Sequence, residues 1–249
     1  MGHVMNNIAV YSSKGGVGKT ATAVNIAYAS AHRGKKTLLC DMDPQGAASF
    51  YYRAPAKGKF TRKKFLKGKL KKHIRATEIP SLDLLPAHFS FRNLDIELNR
   101  DHSNELKQVF AGLAESYEVL IVDCPPNMTL LSENLIMAAD QVVTPVVPTT
   151  LSIRALAQLI KFFDKIGVER KKLRAFFSMV DRRKNMHSDT IAQYKNKKIF
   201  FRTLIPYLAD VEKMGITRQP VAMDKPGSPA AMAYDQLWME IWKRRVTDR

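Results

Sequence analysis

Along the chain, short apolar runs alternate with longer stretches of helical period. "IAVYS" near the N-terminus reads as a buried strand, and Lys19 to Arg33 as a helix stopped by Gly34. "KTLLCDMD" predicts a second strand and "LDLLPA" a third. Helical sequence from about Ser103 to Ser116 leads into "YEVLIVDCPP", a strand broken by two prolines. Thr129 to Ala139 predicts another helix, ahead of a strand at "DQVVTPVVP" and the strongly helical "SIRALAQLIKFFDKI". "LRAFFSMV" and "RTLIP" predict later strands, and "SPAAMAYDQLWMEIWKRR" a closing helix. Strands alternating with helices imply right-handed βαβ crossovers. The expected fold class is α/β, a mostly parallel twisted sheet with helices on both faces. No repeat, linker or boundary interrupts it, so residues 1–249 read as a single domain.

Composition adds a partner class. No apolar run approaches the ~20 residues that span a bilayer, and the N-terminus lacks an apolar signal core, so a cytoplasmic protein is expected. Cys40 and Cys124 each end an apolar run and read as reduced, buried thiols. A formal charge of +17 points to a polyanionic partner: nucleic acid, an anionic membrane or an acidic protein. The excess is uneven. Pro44 to Thr77 holds no acidic residue, and a basic segment of about 53–75 contains "KGKFTRKKFLKGKLKKHIR". Leu66, Leu70 and Ile74 recur every four residues there, which predicts a short basic amphipathic helix.

The chemistry sits in "SSKGGVGKT", between the first strand and the first helix. Gly15, Gly16 and Gly18 let the backbone wrap a phosphate, and the helix beginning near Lys19 adds its positive dipole end. Lys19 can reach the β/γ oxygens, and the Thr20 hydroxyl can ligate Mg²⁺. An ordinary P-loop begins with glycine four residues before the Gly-Lys pair; here Ser13 holds that place, followed by a second lysine, Lys14.

With that substitution, "KGGVGKT" resembles the deviant Walker A motif of the ParA/MinD family of partitioning ATPases. The resemblance implies ATP and Mg²⁺ as cofactors, with Lys14 reaching across a nucleotide-sandwich homodimer to the partner's phosphates. A second cation there offsets charge developing on the γ-phosphate, as an arginine finger does. It implies nucleotide contacts from Lys14, Gly15, Gly16, Val17, Gly18, Lys19, Thr20 and Ala21. "DMDPQG" resembles the family's switch I, so Asp43 should position the attacking water and Asp41 support the metal shell. "VLIVDCPP" resembles Walker B, aiming Asp123 at the metal. The catalytic set is then Lys14, Lys19 and Asp43, and the metal set Thr20, Asp41 and Asp123.

Two departures from the family pattern matter. Ala21 stands where a second threonine is typical, and "IPYLADVEKMG" keeps Pro206 while Tyr207 and Leu208 replace a polar pair near the adenine. Met179 and Asp181 in "SMVDRR" are the expected substitutes at the base.

Three functions follow from these residues. The first is a ParA-type ATPase without an N-terminal helix-turn-helix. It would be nucleoid-associated, bind DNA non-specifically, and hydrolyse ATP slowly until a ParB-like or cargo-adaptor protein stimulates it. The second is a MinD-like membrane ATPase anchored by Leu237, Trp238, Ile241 and Trp242 beside "KRR"; the competing reading packs that stripe on the domain, and a membrane partner is not expected. The third is a metabolic P-loop enzyme, disfavoured because cluster-ligating cysteines are missing. Two basic surfaces compete for DNA. Charge density favours Lys63, Lys64, Lys67, Lys71 and Lys72. Resemblance favours a late set: Arg182, Arg183, Lys195, Lys197, Lys198, Arg202, Arg218, Lys243, Arg244 and Arg245.

Overall fold

The structure, a computed structural model, describes residues 5–56, 61–94 and 103–247. The first half runs β1 (Asn6–Val10), α1 (Lys19–His32), β2 (Thr37–Asp41), α2 (Ala47–Tyr51), α3 (Arg62–Leu66), β3 (Arg75–Ala76), β4 (Leu82–Leu85), α4 (Ser103–Ala111) and β5 (Val119–Asp123). It continues through α5 (Leu130–Ala138), β6 (Gln141–Val146), α6 (Thr150–Lys165), β7 (Leu173–Val180), α7 (Asn185–Tyr194) and β8 (Phe200–Pro206). Three short helices, α8 (Ala209–Glu212), α9 (Met214–Thr217) and α10 (Val221–Asp224), precede the closing α11 (Pro229–Thr247).

The strands form one sheet in the order β3-β4-β2-β5-β1-β6-β7-β8. Every pairing is parallel except β3 with β4. The expected α/β architecture is therefore present, with one antiparallel strand added at an edge. Central strands are buried on both faces, which is why β2 and β5 read as continuous apolar runs without alternation.

A separate core fills each face. One gathers Leu106, Leu135, Leu156 and Phe163 of α4, α5 and α6. The other packs α1 against α11 through Ala23, Ala27, Leu237 and Trp238. Leu237, Trp238 and Ile241 are fully or almost fully buried, and Trp242 packs on the same core under the Lys35 ammonium, 5.0 Å from its ring centroid. The stripe considered as a membrane anchor is thus a core stripe. Among the described residues no helix is long and apolar enough to cross a membrane.

The basic segment departs from its predicted helix. α3 ends at Leu66, and Gly68, at φ +67°, turns the chain before Leu70. Leu66, Leu70 and Ile74 all reach the core, but from a helix end and successive turns, so their spacing mimicked a helix the chain does not form. Residues 57–60 of that segment lie outside the described residues. The helix α7 and the short α2 were not expected.

Candidate functional site

Three parallel strands point their C-terminal ends at one place. β1 feeds the glycine loop, β2 ends at Asp41 and β5 at Asp123, and the register sets Asp41 directly opposite Asp123 and Val10 opposite Asp123. This is the crevice beyond the carboxyl ends of the strands where open α/β sheets bind ligands.

The loop's conformation explains its glycines. Gly18 caps α1 with φ +90°, a left-handed geometry, and a Cβ there would sit 3.2 Å from the Ser178 hydroxyl. Gly16, at φ +69°, makes the preceding turn. α1 begins immediately afterwards, so its unpaired N–H groups face the cleft. Lys19 is buried, and its ammonium folds back to donate to the Lys14 carbonyl at 3.3 Å. Burial lowers its pKa, an effect opposed by the nearby Asp123 and Asp43 carboxylates.

The carboxylates are not satisfied by protein. Asp41 accepts from the backbone and hydroxyl of Ser49 at 2.8 and 2.7 Å through one oxygen, while its other oxygen is buried without a partner. Neither oxygen of Asp123 has a hydrogen-bond partner, and the residue is wholly inaccessible. Burial pushes the Asp41 carboxyl up to about 6. Burial, with Asp41 beside it, holds Asp123 well above the usual carboxylate range; the Thr20 hydroxyl pulls the other way without a well-aligned bond. Orphaned buried carboxylate oxygens beside a phosphate-type loop fit a cation. Among the described residues no cluster of three His, Cys, Asp or Glu side chains could cage a metal alone. A Mg²⁺ completed by phosphate oxygens and water needs no such cage.

The cleft itself measures about 490 Å³. Gly15, Gly16, Gly18, Lys19, Thr20, Ala21 and Asp43 line one end; Met179, Ile205, Pro206, Tyr207 and Leu208 line the other. Asp43 holds the switch loop by accepting from the Gln45 backbone at 2.9 Å. Met179 has φ +55°, a left-handed twist that carries β7 past the cleft. Asp181 does not join the lining. Its carboxylate takes both arms of Arg183 at 2.9 Å, which holds it well below the usual carboxylate range. Sequence reasoning missed Tyr51, Ser178, Val211, Glu212 and Tyr234 in the lining. Tyr207, whose hydroxyl donates to Glu212 at 2.7 Å, and Leu208 were signalled, by replacing a polar family pair.

The two lysines of the loop part company. Lys14 does not line this cleft. Its ammonium donates to the Ser152 hydroxyl at 3.0 Å, beside a small separate cavity also lined by Val17, Pro145 and Leu159.

The late basic residues divide likewise. Lys198, Arg202, Lys243 and Arg244 share a groove along the β8 edge with Arg33 and Arg174, two contributors the sequence did not single out. Arg182, Lys195 and Lys197 are exposed but line no part of it, and Arg183 is engaged by Asp181. Arg218 is held elsewhere: its guanidinium donates to the Phe50 carbonyl at 3.1 Å and stacks on the Phe50 ring, 4.2 Å from the centroid. The Arg245 side chain lies outside the described residues.

Known proteins resemble this chain in sequence and in fold. The family model described as an AAA domain matches residues 5–175. The sporulation initiation inhibitor protein Soj of Bacillus subtilis is 30% identical over 248 residues, covering 94% of this chain and 97% of that protein. The chromosome-partitioning ATPase Soj of Thermus thermophilus is 30% identical over 251 residues, covering 96% of each. Among solved structures, the cobyrinic acid a,c-diamide synthase of Mycobacterium smegmatis, with a bound ATP analogue and magnesium, superposes with a TM-score of 0.83 at 24% identity, covering 99% of this chain and 97% of that one. A plasmid partition protein from Borrelia burgdorferi gives 0.77 at 20% identity, covering 96% and 99%. At those identities the structures establish the fold alone, and the Soj relatives carry the assignment. The chain belongs to the ParA/MinD family of P-loop partitioning ATPases, among its small ParA/Soj-type members.

Proposed function

We propose that this protein is a positioning ATPase whose ATP-bound form is a sandwich homodimer that holds DNA non-specifically. A cargo-bound adaptor would then trigger hydrolysis and release. The observation that carries the reading is the divergence of the two lysines. Lys19 stays in its own cleft, whereas the Lys14 ammonium turns away to Ser152. A cation excluded from its own phosphate site but carried on the same loop suits service to a second copy's site, the relation a two-fold interface provides.

In each protomer the loop backbone and Lys19 grip the β/γ-phosphates of ATP. Thr20 and Asp123, supported by Asp41, would hold Mg²⁺, which supplies charge neutralisation at the phosphate oxygens. Asp43, at the mouth of the cleft, holds the attacking water and accepts its proton. Lys14 from the partner faces the charge that spreads over the γ-phosphoryl oxygens. Pro206, Met179 and Leu208 offer an apolar seat for the adenine. The β8 groove supplies phosphate-backbone cations without any base-reading pattern, which suits sequence-independent binding in the nucleoid.

Nucleotide affinity and dimer mass, measured together, test the reading. Lys14→Ala should bind ATP with near-normal affinity yet remain monomeric, while Asp43→Ala should dimerise and not hydrolyse. Equal loss of nucleotide binding in the Lys14 and Lys19 variants would place Lys14 in its own site and defeat the proposal.

A further inference from the structure

The lysine-rich segment lies at the opposite edge of the sheet from the β8 groove, leading into the outermost strand β3. It is a built platform. Thr61 caps α3 by accepting from the Lys64 backbone, and the Lys69 N–H returns to the Lys64 carbonyl at 3.0 Å. Phe65 and Leu70 are fully buried, with Phe65 packed against Phe91 and Phe110 at ring separations of 5.3 and 6.4 Å. With both anchors packed into one core, Lys63, Lys67, Lys69, Lys71 and Lys72 stay exposed on the outside. No carboxylate among the described residues pairs with any of these five.

The chemistry narrows the partner. A membrane-docking segment turns its apolar side outward, but here Phe65, Leu66, Leu70 and Ile74 all pack inward on the core. A protein interface needs an apolar centre with a polar rim, and the platform's own apolar residues are spent inside. A phosphate backbone asks only for spaced, hydrated cations. None of the platform's anchors lines the nucleotide cleft, so the surface is present in the nucleotide-free monomer.

We propose that the platform formed by Lys63, Lys67, Lys69, Lys71 and Lys72 is a second, nucleotide-independent contact for the phosphate backbone of nucleic acid, separate from the β8 groove. It goes beyond the ATP-dependent dimer reading and does not need that reading to hold. A chain with one constitutive and one ATP-gated contact stays near DNA after hydrolysis and rebinds without leaving the vicinity.

The test is fluorescence anisotropy of the full chain on a random-sequence duplex, with and without ATP, across a salt series. The triple charge-neutral variant Lys67→Gln/Lys71→Gln/Lys72→Gln should lower nucleotide-free affinity at least tenfold. It should also flatten the slope of log K against log salt by about 2 to 3, at ~0.9 per lost contact. Its melting temperature and basal ATPase rate should match the parent, because Phe65 and Leu70 are untouched. The increment added by ATP should survive in this variant and disappear in Lys198→Glu/Lys243→Glu. Unchanged nucleotide-free binding and slope in the platform variant would overturn the proposal, as would absence of nucleotide-free binding by the parent at low salt. Flotation of the parent with anionic phospholipid vesicles, lost in the variant while DNA binding is kept, would also overturn it. Survival of the ATP increment in the β8 variant would instead defeat the DNA placement under the proposed function and leave the platform standing.

Discussion

The centre of the sheet and its two edges use charge in opposite ways. At the centre, Asp41, Asp123 and Lys19 are buried at strand ends and a helix start, with carboxylate oxygens unsatisfied and their pKa values raised. At the edges, lysines and arginines stand exposed on short turns and on α11. Buried charge is costly unless something completes it, so the centre demands a ligand of defined charge and geometry. Exposed charge costs little and specifies little, so the edges suit a partner recognised by its charge density alone. The molecule thus separates buried, unsatisfied charge at its centre from exposed charge at its edges.

Even the two edges differ. The β8 groove mixes signs: Asp235 takes both arms of Arg33 at 2.9 and 2.7 Å, and Glu240 receives the Arg202 and Thr203 backbone N–H groups, each at 2.8 Å. Glu240 thereby satisfies donors that an edge strand would otherwise offer to another chain. The lysine platform carries no acid in its own sequence from Pro44 to Thr77.

The largest expected effect on ligand binding breaks the centre. Lys19→Ala should weaken ATP binding at least roughly a hundredfold, about 3 kcal/mol, the scale for truncating one partner of a buried charge pair; equilibrium dialysis with labelled ATP measures it. Next comes the platform's anchor. Phe65→Ala should cost about 3–5 kcal/mol of stability through the cavity left against Phe91 and Phe110, read by chemical denaturation, with ATP affinity of the folded fraction unchanged. Smaller again is Glu240→Ala, which strips acceptors from two edge N–H groups and the Thr203 hydroxyl. About 1–3 kcal/mol should be lost, with increased self-association at high concentration visible by light scattering. The smallest effect is a single Lys243→Gln at the β8 edge. It should flatten the salt slope of ATP-dependent DNA binding by roughly one and leave stability within ~0.5 kcal/mol.

What the sequence disclosed follows the same division. The P-loop was legible because backbone wrapping needs glycine at fixed places, and Gly16 and Gly18 do hold left-handed geometry. Asp41 and Asp123 were legible because an apolar run ending in aspartate places its carboxylate at a strand end, and parallel register brings both together. The edges were not. Arg33 and Arg174 join Lys243 through packing that no local pattern encodes, and Arg218 lies away from that groove, docked on Phe50, far away in sequence. Leu66, Leu70 and Ile74 misled because burial every four residues is also what a helix end followed by turns can produce. Proximity in sequence to Met179 did not reveal that Asp181 is engaged by Arg183.

The central claim is that one loop serves two sites, Lys19 in its own protomer and Lys14 in the partner's. Mixing two inactive variants tests it most directly. In a mixed dimer of Lys14→Ala and Asp43→Ala protomers, the site on the Lys14→Ala protomer keeps its own Asp43 and receives an intact Lys14 from its partner. The other site lacks both groups. If Lys14 acts across the interface, adapter-stimulated or basal ATP hydrolysis, absent from each variant alone, returns on mixing and rises with the fraction of mixed dimers. If Lys14 acts within its own protomer, neither site of the mixed dimer is complete, and the mixture stays as inactive as its components.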